Sequence, residues 1–423
     1  MFRPLASALR KTVADGQLTI VDHAGRPHRF GDGAGPEIRV RLADRAIGWR
    51  LFVHPQLALG EGFMDGRIVM EKGSIYDLLD LVLRQADARP LPRISGSIDR
   101  VSRAWKYLQQ YNPASRSRRN VAHHYDLDAA LYALFLDRDR QYSCAYWTAA
   151  ALATDDLDAA QAAKKAHIID KLVVRPGQRV LDIGSGWGGL ALDIARRAET
   201  EVLGITLSEE QFRIARARAA DAGVDARVSF ALADYRSIRG PFDRIVSVGM
   251  LEHVGVRYYD RYFRTIADAL TDDGVAVVHA IGRFDGPAVT APFIRKYIFP
   301  GGYIPALSEV LPSVERSGLY LTDVEILRLH YAETLRAWRR RFLANRDTAR
   351  DRLGERFCRM WEFYLAASEA GFRYQKLMVF QLQLAKRLDT LPLTRDYLLA
   401  PRDAPVRPTV PADLAETARR DAA

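Results

Sequence analysis

Two stretches near the start of the chain alternate apolar and polar residues with a period of two, which is typical of half-buried β-strands. They lie at residues 18–20 and 38–42, and a further short strand is predicted over Arg67 to Met70. The apolar residues of Ser74 to Leu83 recur instead at helical spacing, which predicts an amphipathic helix. The pattern therefore indicates a small α+β domain over residues 1–90.

From Val180 onward, strand-like and helix-like segments alternate along the chain. This alternation predicts βαβ crossovers and a mostly parallel sheet covered on both faces, an α/β fold whose ligands bind at the carboxyl ends of the strands. The predicted strands lie at 180–183, 201–205, 227–231, 242–248, 274–280, 319–327 and 377–384. The predicted helices lie at 123–136, 189–197, 208–222 and 258–270, with two more within 331–372. We assign residues 121–395 to this second domain.

Three further segments do not follow either pattern. Residues 91–120 read as a proline- and glycine-containing linker followed by a helix, and residues 396–423 as a frayed tail rich in proline and alanine. Residues 282–312 form an aromatic insertion hinged by glycines. This insertion is either a lid or wall over a hydrophobic substrate, or a connection packed into the core.

The chain of 423 residues is basic, with 62 Lys and Arg against 52 Asp and Glu. This balance suits an anionic partner, although a solvated basic face is the alternative. No segment resembles a nucleic-acid-binding module, so an anionic phospholipid surface is favoured over nucleic acid. No run reaches the roughly 18 apolar residues of a membrane span. We therefore expect a cytoplasmic protein, peripherally associated with the inner face of the membrane; the sequence leaves open whether it forms a homodimer.

A glycine-rich turn at Val180 to Gly189 joins an apolar strand to a helix and predicts a nucleotide-like cofactor. Its GxGxxG spacing fits both NAD and S-adenosylmethionine. Two neighbours favour S-adenosylmethionine. Asp182 can hold an amino-acid ammonium, and Thr206 ends the next strand where an NAD site would place Asp or Glu. A dinucleotide or a purely structural turn are the alternatives at this point.

Six separated motifs between His123 and Leu384 occur in an order that is specific to one family. They are His124-Tyr125-Asp126-Leu127, Tyr142 to Trp147, the glycine turn with Trp187, Thr206 to Gln211, Glu252-His253-Val254-Gly255 and Lys296 to Gly301. With these motifs the chain resembles the cyclopropane-fatty-acid synthases, a branch of the S-adenosylmethionine-dependent methyltransferases. The resemblance implies a class I, Rossmann-like methyltransferase fold with a mostly parallel seven-stranded sheet. The N-terminal domain resembles, more loosely, a sterol-carrier-like lipid-binding domain.

The resemblance also implies a set of residues that bind S-adenosylmethionine. Together with Asp182, the set is Tyr142 and Ser143 at the methionine end, Gly184, Ser185, Gly186, Trp187 and Gly188 around the methionine and ribose, Thr206 and Gln211 at the ribose hydroxyls, and Asp234 and Tyr235 at the adenine. Ser185 stands where the family commonly has cysteine, a small change that should not impair binding.

Methyl transfer to an isolated alkene creates a carbocation, and ring closure then requires a base that removes a proton from the new methyl. The resemblance implies that this base is a bound bicarbonate ion. His279 and the hydroxyl of Tyr331 would donate to the ion, Glu252 would accept its O–H, and Cys144 and Ile281 would contribute backbone groups. The thiol of Cys144 itself reads as a small buried hydrophobe rather than a nucleophile, and no metal site is predicted.

An aromatic wall could shelter the cation without capturing it. Its candidates are Tyr146, Trp147, Phe293, Tyr297 and Tyr303, with ordinary core packing as the alternative for each. We therefore expect a cyclopropane-fatty-acyl-phospholipid synthase, which adds a methylene to the cis double bond of a phospholipid acyl chain. The alternatives are methyl transfer without ring closure, giving a branched chain, methylation of a small polar acceptor, and a lipid-binding protein that has lost its chemistry.

Overall fold

The computed structural model describes residues 2–86, residue 88 and residues 129–398. Several predictions therefore lie outside the described residues. They are the linker and helix of residues 91–120, the His124-Tyr125-Asp126-Leu127 motif, and the tail beyond Leu398.

The N-terminal residues form a four-stranded sheet in the order β2-β1-β3-β4, in which only the β1–β3 pair is parallel. Its strands are Gln17–Val21 (β1), Pro27–Phe30 (β2), Glu37–Leu42 (β3) and Ile68–Lys72 (β4). Its helices are Arg3–Thr12 (α1), Arg45–Val53 (α2), Pro55–Met64 (α3) and Ile75–Ala86 (α4).

The sequence pattern predicts β1, β3, β4 and α4 but not the other elements of this unit. Strand β2 buries only Phe30, so it shows no alternation. In α2 and α3 the apolar residues do not keep to one face, and glycines interrupt both helices. Helix α2 is defined instead by its cap, because the Asp44 side chain accepts from the backbone N–H groups of Ala46 and Ile47.

The larger sheet has seven strands in the order β10-β11-β9-β8-β5-β6-β7. They are Arg179–Ile183 (β5), Glu201–Thr206 (β6), Val228–Leu232 (β7), Phe242–Val248 (β8), Leu270–Arg283 (β9), Tyr320–Leu327 (β10) and Leu377–Ala385 (β11). Strands β5 to β9 pair in parallel, whereas β11 pairs antiparallel with both β9 and β10. The predicted mostly parallel seven-stranded α/β fold is confirmed.

Helices cover this sheet and extend toward the N-terminal unit. They are Ala129–Ala133 (α5), Ala149–Thr154 (α6), Leu157–Leu172 (α7), Gly189–Ala198 (α8), Glu209–Asp221 (α9), Tyr259–Ala269 (α10), Leu307–Arg316 (α11), His330–Ala344 (α12), Arg346–Leu353 (α13) and Glu355–Tyr374 (α14). The prediction of two helices within 331–372 was wrong, because the chain breaks at Asn345 and again at Gly354, giving three.

One hydrophobic core connects the N-terminal sheet with helices α12 and α14. Trp338 of α12 and Trp361 of α14 are fully buried in it, and α14 packs against both α3 and α4. The Tyr374 hydroxyl donates to Asp80 across this interface at 2.6 Å. The N-terminal unit therefore packs against α14 of the larger domain, and Glu61 of α3 also contacts Lys296 of the insertion. Within the described ranges, no helix is both long and apolar enough to cross a bilayer.

Candidate active site

A cavity of about 160 Å³ opens at the carboxyl ends of β5, β6, β7 and β8. This is the edge at which ligands of parallel sheets bind. The segment 140–143 and Pro300-Gly301 of the insertion complete its wall. All but one of the twelve predicted cofactor residues line it: Tyr142, Ser143, Asp182, Gly184, Ser185, Gly186, Trp187, Thr206, Gln211, Asp234 and Tyr235.

Gly188 is the exception, since it does not line the cavity. It precedes α8 with φ at +84°, and a Cβ there would lie 2.7 Å from the Phe230 ring and 3.1 Å from the Ala215 methyl. The glycine is needed for the turn and for the close approach of helix and sheet. Its place is thus behind the cofactor wall rather than on it.

The wall at the glycine turn leaves space and one buried polar atom for a ligand. A Cβ on Gly186 or Gly249, which both line the cavity, would meet no atom within 4 Å. The Asp182 side chain is buried, and its Oδ2 has no hydrogen-bond partner among the described residues. Burial raises the pKa of this carboxyl to about 7, against the opposing effect of Lys164. These features fit an amino-acid ammonium beside Asp182.

The residues predicted to bind the ribose and the adenine are already hydrogen-bonded within the protein. The Thr206 hydroxyl donates to Gln211 Oε1 at 2.8 Å. The Asp234 carboxylate accepts from the backbone N–H and the Nε–H of Arg236, at 3.0 and 2.9 Å. The ring of Tyr235 is buried and carries the Arg236 guanidinium at 5.3 Å from its centroid. A ribose would therefore compete for the Thr206–Gln211 pair.

None of the five predicted catalytic residues lines this cavity, although His253, next to Glu252, does. Glu252 is buried on a short 3₁₀ turn that follows β8. Its Oε1 accepts the backbone N–H of Ile281 at 2.6 Å, while its Oε2 has no partner within the described part of the chain. Burial raises the pKa of the Glu252 carboxyl to about 7. The N–H of Ile281 is thus already engaged by Glu252.

His279 precedes Ile281 by two residues on β9, so the two side chains share one face of the strand. Its Nδ1 lies 3.1 Å from the side-chain nitrogen of Gln381. With an amide N–H donating to Nδ1, the ring proton is on Nε2. Burial lowers the pKa of His279 to about 3, so the imidazole is a neutral hydrogen-bond donor.

The remaining two catalytic candidates are positioned by helix α12. Tyr331 is buried near its start. The backbone N–H of Ala145, next to Cys144, and the indole N–H of Trp147 both donate to Thr334 at 3.1 Å. Burial raises the pKa of the Cys144 thiol well above its usual range, and the thiol donates to the carbonyl of Ala145. Cys144 is therefore placed as a buried hydrophobe.

The aromatic candidates are built into the core. Phe293 packs edge-on against Phe363 with centroids 4.7 Å apart, and the ring of Tyr146 stacks on those of His167 and His330. The sequence analysis missed one further aromatic contact. The hydroxyls of Tyr142 and Tyr364 are hydrogen-bonded at 2.8 Å, which ties α14 to the cavity wall.

A family model described as mycolic acid cyclopropane synthetase matches residues 113–382, which is more than half of the chain. This chain belongs to that family. The match confirms the resemblance, and the chain is accordingly an S-adenosylmethionine-dependent methyltransferase with a class I fold.

Three relatives place the chain within the mycolic acid cyclopropane synthetase family. The tuberculostearic acid methyltransferase UfaA1 of Mycobacterium tuberculosis is 37% identical over 90% of this chain and 93% of its own length. The cyclopropane-fatty-acyl-phospholipid synthase of Escherichia coli is also 37% identical, over 85% of this chain and 90% of its own. The solved structure of the mycolic acid cyclopropane synthase CmaA1, complexed with SAH and CTAB, is 31% identical with a TM-score of 0.59. That structure covers 65% of this chain and 99% of its own.

The sequence analysis did not identify one buried lysine of this chain, Lys164, as a residue that supports the site. Lys164 of α7 is fully buried and donates to Gln141 Oε1 at 2.5 Å and to Ser143 Oγ at 2.9 Å, two residues of the cavity wall. Burial lowers its pKa to about 8. The signal was present, because Lys164 falls on the buried helical stripe that includes Leu157, Gln161 and Ile168. Lys164 therefore supports the 141–143 segment of the cavity wall.

We expect Lys164→Met to weaken the binding of S-adenosylhomocysteine about tenfold, because the 141–143 segment loses a charged hydrogen-bond donor. Lys171→Met is the matched control, since Lys171 is equally buried on the same helix but pairs with Glu325, away from the cavity. Calorimetric titration of both variants checks this. Equal loss of affinity in the two would contradict a local role for Lys164.

The insertion carries a π-helix over Ile294–Ile298 that the N-terminal unit holds directly. Glu61 of α3 accepts from Lys296 Nζ at 2.7 Å and from the Tyr297 hydroxyl at 2.9 Å, and its second oxygen accepts from Arg50. Burial opposes the charge of Glu61, but these donors outweigh it and lower its pKa. Because Pro300 and Gly301 follow and line the cavity, this contact fixes one wall of the site.

Glu61→Gln is expected to increase hydrogen exchange of residues 294–301 about tenfold, since the neutral amide oxygen accepts more weakly from Lys296 and the amide nitrogen cannot accept from Arg50. Glu71→Gln serves as the control, because Glu71 pairs with Arg39 and Arg41 on the surface of the N-terminal sheet. Hydrogen exchange measured by mass spectrometry compares both variants with the wild type. Unchanged exchange in 294–301 would show that Glu61 does not hold the π-helix.

Proposed function

We propose that this protein is a cyclopropane-fatty-acyl-phospholipid synthase, which adds a methylene from S-adenosylmethionine to the cis double bond of an unsaturated phospholipid acyl chain. The observation that carries this proposal is the buried carboxyl of Glu252, whose Oε2 is unpartnered among the described residues and whose pKa is raised to about 7. It directly precedes His253 on the cavity wall. A buried acceptor at this position suits a reaction that must dispose of a proton away from water.

The proposed reaction has two bond-forming steps. The π electrons of the alkene form a bond to the methyl carbon while the carbon–sulfur bond breaks, leaving its electron pair on sulfur. The adjacent alkene carbon becomes a cation. Removal of a proton from the new methyl then frees the C–H electron pair, which closes the three-membered ring. Tyr142, Ser143 and Asp182 are assigned to hold the methionine end of the donor during this sequence.

We also propose that a bicarbonate ion belongs to this site. When bound, it would supply the proton acceptor for ring closure. His279, as a neutral donor, and the Tyr331 hydroxyl would hold the anion, and the unpartnered Oε2 of Glu252 would accept its O–H. The residues fit an anion that itself carries one O–H, because they offer both donors and an acceptor.

Transfer that ends in a methyl branch is the second candidate function, and the relative named as a tuberculostearic acid methyltransferase favours it. Such a product keeps all three hydrogens of the transferred methyl unless a later step removes one. On that path the cation must lose a proton from a neighbouring chain carbon, which leaves a double bond, or take up a hydride from a separate reductant. Ring closure needs only a proton acceptor near the new methyl, so the buried acceptor at Glu252 favours ring closure over a saturated branch.

We assign the N-terminal domain to lipid binding and expect peripheral association with an anionic membrane. The shared core and the Glu61 contact link that domain to the insertion, which suits delivery of an acyl chain to the site.

Expression in a host that lacks this activity tests the proposal. We expect unsaturated phospholipid acyl chains to gain one methylene, while saturated chains are unchanged. Acyl-chain mass analysis before and after expression gives the result. Unchanged lipids in cells that contain the folded protein and its donor would contradict the proposal.

A further inference from the structure

We propose that a basic groove beside the active site is the surface that docks on the anionic phospholipid bilayer. This inference rests on the proposed function. The groove encloses about 370 Å³ between the end of α4, the end of β9 and the turn from β10 to α12. Its wall combines cationic and apolar side chains: Arg84, Arg328, Lys376, Phe284, Leu329 and Leu377.

The register of the sheet puts this groove at the same edge as the cofactor cavity. Leu377 of β11 pairs with Arg283 at the carboxyl end of β9, and Leu327 at the end of β10 pairs with Val379. The turns that follow or precede these ends therefore gather at one edge. Strands β5 to β8, which carry the cofactor cavity, run parallel to β9 and end at that edge too.

Short chain connections link the groove to the proposed catalytic residues. Phe284 follows Ile281 by three residues, and Leu329 precedes Tyr331 by two. A bilayer on this groove would thus lie on the side of the sheet from which an acyl chain must reach Glu252. A bilayer on the opposite edge would be separated from the site by the length of the strands.

The exposed side chains of the groove suit a lipid surface. Phe284 and Leu329 are 56% and 50% exposed and line the same groove, so they form an apolar patch rather than isolated surface side chains. Arg328 and Lys376 are exposed and form no ion pair within the described ranges. Arg84 lies 3.9 Å from Asp80, and Arg373 is taken up by Glu333 and Glu369. Unpaired cations attract anionic headgroups, and the apolar side chains insert at the headgroup boundary. A nucleic acid would leave Leu329 in water.

Vesicle sedimentation of the full chain tests the docking surface. The charge variant combines Arg84→Glu, Arg328→Glu and Lys376→Glu, and the apolar variant combines Phe284→Ser and Leu329→Ser. On vesicles of phosphatidylglycerol and phosphatidylcholine, we expect the charge variant to bind more than about tenfold more weakly, because three attractions become repulsions. The apolar variant should bind several-fold more weakly. Both should bind S-adenosylhomocysteine as the wild type does.

Matched controls lie on surfaces far from the groove. Arg213→Glu with Arg216→Glu reverses two exposed arginines of α9, which packs on β6 and β7 at the other end of the sheet. Leu388→Ser alters a leucine that is 72% exposed beyond the other end of β11. These variants should bind vesicles like the wild type. If the controls lose as much affinity as the groove variants, or the groove variants lose none, the docking surface is wrong.

Activity measured on the same samples separates this inference from the proposed function. The groove variants should keep their turnover on detergent-dispersed unsaturated phospholipid and lose it on vesicles. If the wild type binds vesicles through the groove but forms no lipid product, the proposed function is contradicted and the docking surface is not. If the wild type forms a lipid product and the groove variants turn over vesicle lipid as fast as the wild type, the docking surface is contradicted and the proposed function is not.

Discussion

Glu252→Gln is expected to reduce formation of cyclopropane lipid by a factor of about 10² to 10⁴, the range typical for loss of a group that acts in proton transfer. The glutamine amide oxygen can still accept the N–H of Ile281, which Glu252 holds at 2.6 Å, so the local backbone should be retained. The substitution replaces the ionisable Oε2, which has no hydrogen-bond partner among the described residues, with a neutral amide nitrogen. Turnover on unsaturated vesicles, followed by lipid mass analysis, measures the effect.

The pH dependence of activity is a second test of the role assigned to Glu252. Since burial raises the pKa of its carboxyl to about 7, the ionised form is lost as pH falls through that value. At saturating S-adenosylmethionine, activity of the wild type should therefore rise between about pH 6 and 8, and the residual activity of Glu252→Gln should not. S-adenosylhomocysteine affinity should be unchanged in the variant, because Glu252 does not line the cofactor cavity. Full activity in Glu252→Gln would contradict the assigned role.

Asp182→Asn is expected to weaken S-adenosylhomocysteine binding roughly 10- to 100-fold, the range for loss of a hydrogen bond to a charged group. The carboxyl is buried at the cavity, and its Oδ2 is unpartnered within the described residues, so the ammonium of the ligand would be its counter-charge. Asparagine is neutral and nearly isosteric, so the variant should fold and its Tm should not fall. Calorimetric titration measures the affinity.

The pH dependence of cofactor affinity follows from the same carboxyl. Its pKa is raised to about 7 by burial, so it is protonated at lower pH and charged at higher pH. Because only the charged form pairs with an ammonium, wild-type affinity should fall roughly tenfold between pH 8 and pH 6. The Asn variant should show no such dependence. An Asn variant that binds like the wild type at both pH values would contradict the assignment.

The strands of the larger domain could be predicted because parallel strands buried on both faces leave continuous apolar runs between helical segments. The same reasoning did not predict α2 and α3, whose apolar residues point in several directions. Helix α3 packs against α14 as well as against α2 and β4, so its burial depends partly on partners about 300 residues away in sequence, which no local period encodes.

The residues that line the cavity could be predicted for a different reason. Gly186 lies in the turn after β5 and Thr206 ends β6, so their position at the carboxyl ends of the strands follows from the fold. The contacts among the site residues could not be predicted from the fold. That Ile281 donates to Glu252 and that Lys164 supports Ser143 depend on side-chain directions across separate elements. That Asp234 binds Arg236 depends on the conformation of the short turn that carries both. Only Lys164 left a trace, as a charge within a buried helical stripe.

The fate of the transferred hydrogens tests the central claim most directly. Purified protein would be given S-adenosylmethionine with a trideuterated methyl group and vesicles of a monounsaturated phospholipid. Ring closure through deprotonation predicts that the lipid product keeps two of the three deuterium atoms, and that its carbon and proton resonances are those of a cyclopropane. A product that keeps all three deuterium atoms as a methyl branch would contradict the account, because the cation would then have lost a proton from a chain carbon or gained a hydride, and no proton would have been taken from the new methyl.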